Sequence, residues 1–227
     1  MNADEIYGRI QNALERAGRK DKTAFVAVSK TRTVEEMQEA EKFSCIDFFG
    51  ENRVQEAEAK RKIYGASRLR WRLIGHLQGN KARKAVELFD SIDSIDSVDL
   101  AVRVDRIAGE LGKVMPVLIE VNTSGEASKS GIDREDFSEL ADKILTLSNL
   151  RLEGLMTVGP ITDSEREIAA AFASLRELSE QARVQTGLTL PVLSMGMSGD
   201  FEIAIREGST MVRIGTLLFG QRDYTKH

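Results

Sequence analysis

Cysteine is nearly missing from this chain. Its 227 residues include one, Cys45 in "KFSCIDFFG", which cannot close an internal disulfide and suits a reducing, cytoplasmic setting. Its context favours a small hydrophobe beside a buried strand over a catalytic thiol. Long apolar runs are missing as well. None nears the length that spans a bilayer, so no membrane partner is expected. The N-terminal "MNADEIYGRIQNALERAGRK" lacks the apolar core of a secretion signal and has the spacing of an amphipathic helix instead. Neither charge sign dominates: 36 acidic residues stand against 32 basic ones, a formal charge of −4. With no basic block and no interleaving of bases with aromatics, nucleic acid is not an expected partner. No linker, low-complexity segment or sequence repeat divides residues 1–227, which are expected to form one domain.

What the chain does have is alternation. Eight short apolar runs, "AFVAVS", "IDFFG", "WRLIG", "SIDSID", "VMPVLIEVN", "LRLEGLMTV", "LPVLSM" and "TMVRIG", are separated by charged stretches of helical character. "SIDSID" is the weakest strand of the eight because half of it is polar. The clearest helix is "DSEREIAAAFASLRELSEQARVQTG", in which Ile168, Phe172, Leu175, Leu178 and Ala182 share one face and Gly187 marks the stop. Strand–helix alternation without a compositional break implies parallel pairing. Eight such units in this length fit an α/β fold of the single (β/α)8 TIM-barrel type with an extra N-terminal helix. An open doubly wound sheet is the alternative architecture.

In such a barrel the chemistry belongs at the C-terminal strand ends. Polar residues gather there: Ser29 and Lys30 after the first run, Glu51 and Asn52 after the second, and His76 after the third. Asn122 follows the fifth, Thr157 the sixth, and Ser194 and Ser198 the seventh, while Arg213, Gly215 and Thr216 close the eighth. A lysine taken from water and set near an arginine loses its preference for the charged form, and the neutral amine attacks carbonyls. Lys30 therefore suits Schiff-base chemistry, with a pair to Glu51 or Glu120 as the plain structural alternative. "SMGMSGDFEIAIREG" and "RIGTLLFG" place hydroxyls, glycines and backbone N–H groups where phosphate sits in many barrels. Ser198 could equally cap the helix after it. Arg213 lies inside the apolar "MVRIG", where an arginine needs a partner, either an acid or a ligand. A nucleophilic lysine, an anion cradle and an arginine for a ring nitrogen together meet the requirements of a pyridoxal-phosphate site. A cofactor-free, aldolase-like use of Lys30 is the competing chemistry.

The segments "FVAVSKT", "FFGENRVQE", "IGHLQGNK", "EVNTSGEASKSG", "GLMTVG", "LSMGMSGDFEIAIREGST" and "VRIGTLLFG" occur in order across nearly the whole chain. Together they resemble the pyridoxal-phosphate homeostasis protein family, whose fold is similar to the N-terminal barrel of alanine racemase without its second domain. The resemblance implies that Lys30 carries pyridoxal 5'-phosphate as a Schiff base. It implies that Ser198 and the backbone of Gly215 and Thr216 hold the phosphate, and that Arg213 faces the pyridine nitrogen. Asn52, His76, Met195 and Gly196 would line the pocket around the ring. Lys129 matches a family lysine that would make a secondary contact, unless it is a solvated loop residue. Two positions depart from the family pattern: Arg53 replaces an aromatic and Gly79 a serine.

The resemblance also implies a role in buffering or delivering the cofactor within the cell, with pyridoxal-phosphate-dependent apoenzymes as partners, and not an enzyme with turnover. A racemase is the alternative. Two-sided racemisation needs a second acid or base, which a tyrosine of the missing domain supplies in racemases of this type. Here the tyrosines are Tyr7, Tyr64 and Tyr224, none at a strand end, though His76 could substitute. No exposed apolar stripe is left once the helices are assigned, so a monomer is expected.

Overall fold

A computed structural model of the chain describes residues 1–126 and 130–221. It begins with α1 (Ala3–Arg16), followed by β1 (Ala24–Val28), α2 (Val34–Glu41), β2 (Phe48–Glu51), α3 (Val54–Tyr64) and β3 (Arg70–Leu73). The chain continues through α4 (Ala82–Leu88), β4 (Ser91–Ile95), α5 (Val98–Glu110), β5 (Met115–Glu120), α6 (Phe137–Leu145) and β6 (Leu150–Met156). It ends with α7 (Glu165–Thr186), β7 (Val192–Met197), α8 (Phe201–Arg206), β8 (Met211–Ile214) and α9 (Thr216–Phe219). The strands pair in parallel in chain order and β8 pairs with β1, so the sheet closes into an eight-stranded barrel. The open-sheet alternative is excluded. All eight apolar runs are strands.

Local chemistry sets the helix ends. Asn2 with Glu5, and Thr33 with Glu36, form reciprocal capping boxes at the starts of α1 and α2, each satisfying two otherwise orphaned donors. Ser97 and Ser164 cap α5 and α7. At the other end of α7, Gly187 has φ 75°, the left-handed conformation that ends a helix cheaply only at glycine. The five residues expected on the inner face of α7 are all buried. The extra helix α1 packs on α8, where Arg9 bonds Glu202 (2.9 Å) and its guanidinium lies 4.8 Å from the Phe201 ring centre.

Strand alternation divides the core in two. Phe25 and Ala27 of β1 join the large apolar cluster between sheet and helices, whereas the buried Val26, Val28, Leu118, Met156 and Met211 stand apart from it, inside the barrel. The interior also holds charge. The Arg72 guanidinium grips Asp93 through two bonds, 2.7 and 2.9 Å, and Ser91 Oγ donates to the same carboxylate at 2.6 Å. This explains why polar "SIDSID" is still a strand: every residue of β4 is buried, and its acid is neutralised in place.

Candidate functional site

The strand ends gather Lys30, Ser198, Arg213, Gly215 and Thr216 around one cavity of about 240 Å³ at the C-terminal face. Val28, Arg32, Met197 and Gly199 complete its lining. A Cβ added to Gly199 would meet nothing within 4 Å, as expected for a residue beside open space.

Arg213 is held in an unusual way. It is buried, yet its bonds go to neutral oxygens: Nη1 donates to the Ser194 carbonyl (2.7 Å) and hydroxyl (2.9 Å), and Nη2 to the Thr157 carbonyl (2.8 Å). Among the described residues no carboxylate lies at hydrogen-bonding distance from it, so of the two alternatives, an acid or a ligand, the ion pair with a strand-end acid does not form. Burial pulls its pKa down, and the more distant Asp93, Glu120 and Asp200 oppose that. An arginine remains protonated in such surroundings. Three of its five N–H groups are used; among the described residues Nε–H and the second Nη2–H make no hydrogen bond, which leaves two donors on a residue that lines the cavity.

Ser198 does not cap α8. Its Oγ accepts from the N–H groups of Gly215 and Leu217, both at 3.3 Å, so it joins the end of β7 to the start of α9 and keeps its own proton to donate. Asp200, the residue before α8, accepts instead from Met197 N at 2.5 Å, and burial raises its pKa. The Thr216 N–H and hydroxyl make no hydrogen bond among the described residues. Hydroxyls and N–H groups converge here as an anion would require.

Glu51 is not the partner of Lys30. Its Oε1 accepts from Lys60 Nζ and Ser29 Oγ, each at 2.7 Å. Glu120 is buried with Oε2 unpartnered among the described residues. Burial foremost drives its pKa up to about 7, against the pull of Arg213 and His76 and with repulsion from Asp96.

Asn52 and His76 line a separate basin of about 540 Å³ together with Arg53. His76 is exposed, with Nδ1 3.0 Å from Asp96 Oδ2, and Asn52 Oδ1 is buried without a partner among the described residues. Met195 is fully buried and lies outside the cavity lining. Gly196, at φ 95°, serves packing, because an added Cβ would stand 2.5 Å from Ala204 Cβ and glycine therefore lets α8 close on β7. Gly79, the second departure from the family pattern, faces Arg103, whose Nε would be 3.3 Å from an added Cβ. Lys129 and Tyr224 lie outside the described residues. Tyr7 is on α1. Tyr64 is buried on α3, bonded to Glu41 at 2.6 Å and packed edge-on against Phe49 and Trp71. Cys45 is partly buried, and burial together with nearby Asp4 raises its pKa.

Sequence reasoning missed Arg32, Met197 and Gly199 as lining residues, the interior pair Arg72–Asp93 and buried Lys60. The one signal for the pair was charge in the middle of two apolar runs, "WRLIG" and "SIDSID".

The profile of the family "Alanine racemase, N-terminal domain" matches residues 1–223. The chain is 42% identical to the pyridoxal phosphate homeostasis protein of Aquifex aeolicus, covering 99% of this chain and all of that one. It is 40% identical to the protein of the same name from Escherichia coli, over 99% and 97%. Among solved structures it is similar to PipY of Synechococcus elongatus with PLP bound, at TM-score 0.81 and 39% identity, covering 93% of this chain and 100% of that one. Alanine racemase of Clostridium difficile superposes at TM-score 0.77 over 97% of this chain and 58% of its own length. At 18% identity that likeness is one of fold.

Proposed function

The chain belongs to the alanine racemase N-terminal domain family and, within it, to the pyridoxal phosphate homeostasis proteins; on that footing we propose that it binds pyridoxal 5'-phosphate at Lys30 and stores or delivers it instead of turning over a substrate. The observation that carries this reading is the convergence of Lys30, Arg213 and the Ser198–Thr216 region on one cavity. When bound, the cofactor supplies an aldehyde that condenses with amines and a ring that withdraws electrons.

The chain's own groups divide the work. Lys30 provides the amine for covalent attachment. The Ser198 hydroxyl and the N–H of Thr216 would donate to the phosphate. Arg213 would offer a remaining N–H to the ring nitrogen. Because a guanidinium only donates, it would keep that nitrogen unprotonated and weaken the electron withdrawal that amino-acid chemistry needs. Neither described tyrosine is placed to move a second proton: Tyr7 sits on the outer helix α1, and Tyr64 is engaged with Glu41. Both features support holding over turnover. The cytoplasm, a monomer and apoenzymes as recipients complete the proposal.

The test is to titrate purified protein with pyridoxal 5'-phosphate and follow the visible absorbance in the wild type and in Lys30→Ala. The wild type should develop a bound spectrum that borohydride fixes. The variant should retain only a phosphate-anchored complex at least about tenfold weaker, a loss of about 1.4 kcal/mol or more. A variant spectrum identical to the wild type would refute attachment at Lys30.

A further inference from the structure

Lys30 occupies the second position of a tight turn that the strand end does not hold unaided. The Ser29 N–H bonds the Gly50 carbonyl of β2 at 3.0 Å, and the Ser29 carbonyl accepts from Arg32 N at 3.0 Å, closing the turn over Lys30 and Thr31. Thr31 has φ 63° and is the one described non-glycine residue with positive φ. Positive φ at the third position is the mark of a type II turn, where glycine is usual and a β-branched residue is an outlier. Such a conformation persists only where the surroundings impose it.

Those surroundings are a buried ionic cluster on the side of α3. Lys60 Nζ uses its three protons on three oxygens: the Ser29 carbonyl at 2.6 Å, Glu51 Oε1 at 2.7 Å and Glu56 Oε1 at 2.6 Å. Glu56 Oε1 in turn accepts from Thr31 N at 2.5 Å, and Glu51 Oε1 accepts from Ser29 Oγ at 2.7 Å. The peptide groups on both sides of Lys30 are thus bonded to one cluster. Glu51 is fully buried and Lys60 nearly so. An ion cluster out of water is a poor source of stability, and a glycine at position 31 would admit the same turn without a clamp, though as a looser one.

We propose that Lys60, with Glu56 and Glu51, is a positioning cluster that holds the Lys30 turn in the geometry needed for covalent attachment. The inference rests on attachment at Lys30 as put forward above. It predicts that the cluster acts on bond formation and not on recognition of ring and phosphate, because Lys60, Glu51 and Glu56 do not line the cavity.

Two ligands separate these effects. Pyridoxine 5'-phosphate has the same ring and phosphate but an alcohol in place of the aldehyde, so it reports recognition alone. Pyridoxal 5'-phosphate with borohydride trapping reports attachment. Lys60→Met removes the clamp on Ser29, and Glu56→Ala removes that on Thr31. Since Lys60→Met leaves Glu51 buried without its partner, the half-buried Glu56 site decides if the first variant does not fold. Both variants should bind pyridoxine 5'-phosphate within about twofold of the wild type, yet attach the aldehyde at least about tenfold more slowly. Glu56→Gln keeps an acceptor for Thr31 N and should recover most of the rate. Wild-type attachment rates in folded variants would overturn the inference and leave attachment at Lys30 standing, and so would a parallel loss of pyridoxine 5'-phosphate affinity. A wild-type protein that traps no cofactor would overturn both.

Discussion

Glu120 is a residue whose chemistry its environment changes. It closes β5 inside the barrel, and burial raises its carboxyl from the usual 4.5 to about 7. An acid whose folded pKa exceeds its unfolded value lets the folded state hold a proton that the unfolded state has released. Stability therefore falls as pH rises from about 4.5 to about 7 and is level above that. At about 1.4 kcal/mol per pH unit, that interval bounds the cost at about 3 kcal/mol. Glu120→Gln imitates the protonated form. By urea unfolding it should match the wild type near pH 4 and exceed it by up to about 3 kcal/mol at pH 8; a pH-independent difference would show that Glu120 does not titrate in this range. Nothing in the sequence signals this. "PVLIEV" identifies a buried strand ending in an acid, but the orphaned Oε2 and the distances to Arg213 and Asp96 depend on how eight strands meet. Lys30, Ser198 and Arg213 were legible because each interrupts an apolar or glycine-rich segment at a strand end. Lys60 was hidden because a lysine in a charged helix reads as solvated until the turn on β1 packs against it.

At the scale of elements, pattern and structure agree where local chemistry decides. Apolar spacing and a glycine stop are properties of short segments, which is why α1 and α7 could be read directly. Gly187 gives a clean test, since a Cβ there would meet nothing within 4 Å. Gly187→Ala should lower stability by about 1 kcal/mol through the left-handed backbone alone, read as a reduced urea midpoint at unchanged slope; an unaltered midpoint would mean that α7 ends without that residue's help. β4 is the opposite case. Its polarity made it the weakest strand in sequence, because its stability comes from Arg72 on the neighbouring strand, a partner that no local window contains.

For the molecule as a whole, closure is what builds the site. Pairing of β8 with β1 puts Arg213 beside Val26, two residues before the strand end that presents Lys30, so the first and last strands share one cavity. The order of strands followed from alternation and chain length. Which strand-end residues would share a cavity did not, and Asn52 and His76 line a second basin apart from Lys30. Among the described residues no helix is long and apolar enough to cross a membrane. The most direct test of the account is to reduce the protein with borohydride after adding pyridoxal 5'-phosphate and to locate the adduct by peptide mass spectrometry. The account predicts a single phosphopyridoxyl group on Lys30; an adduct confined to other lysines, or none at all, would contradict it.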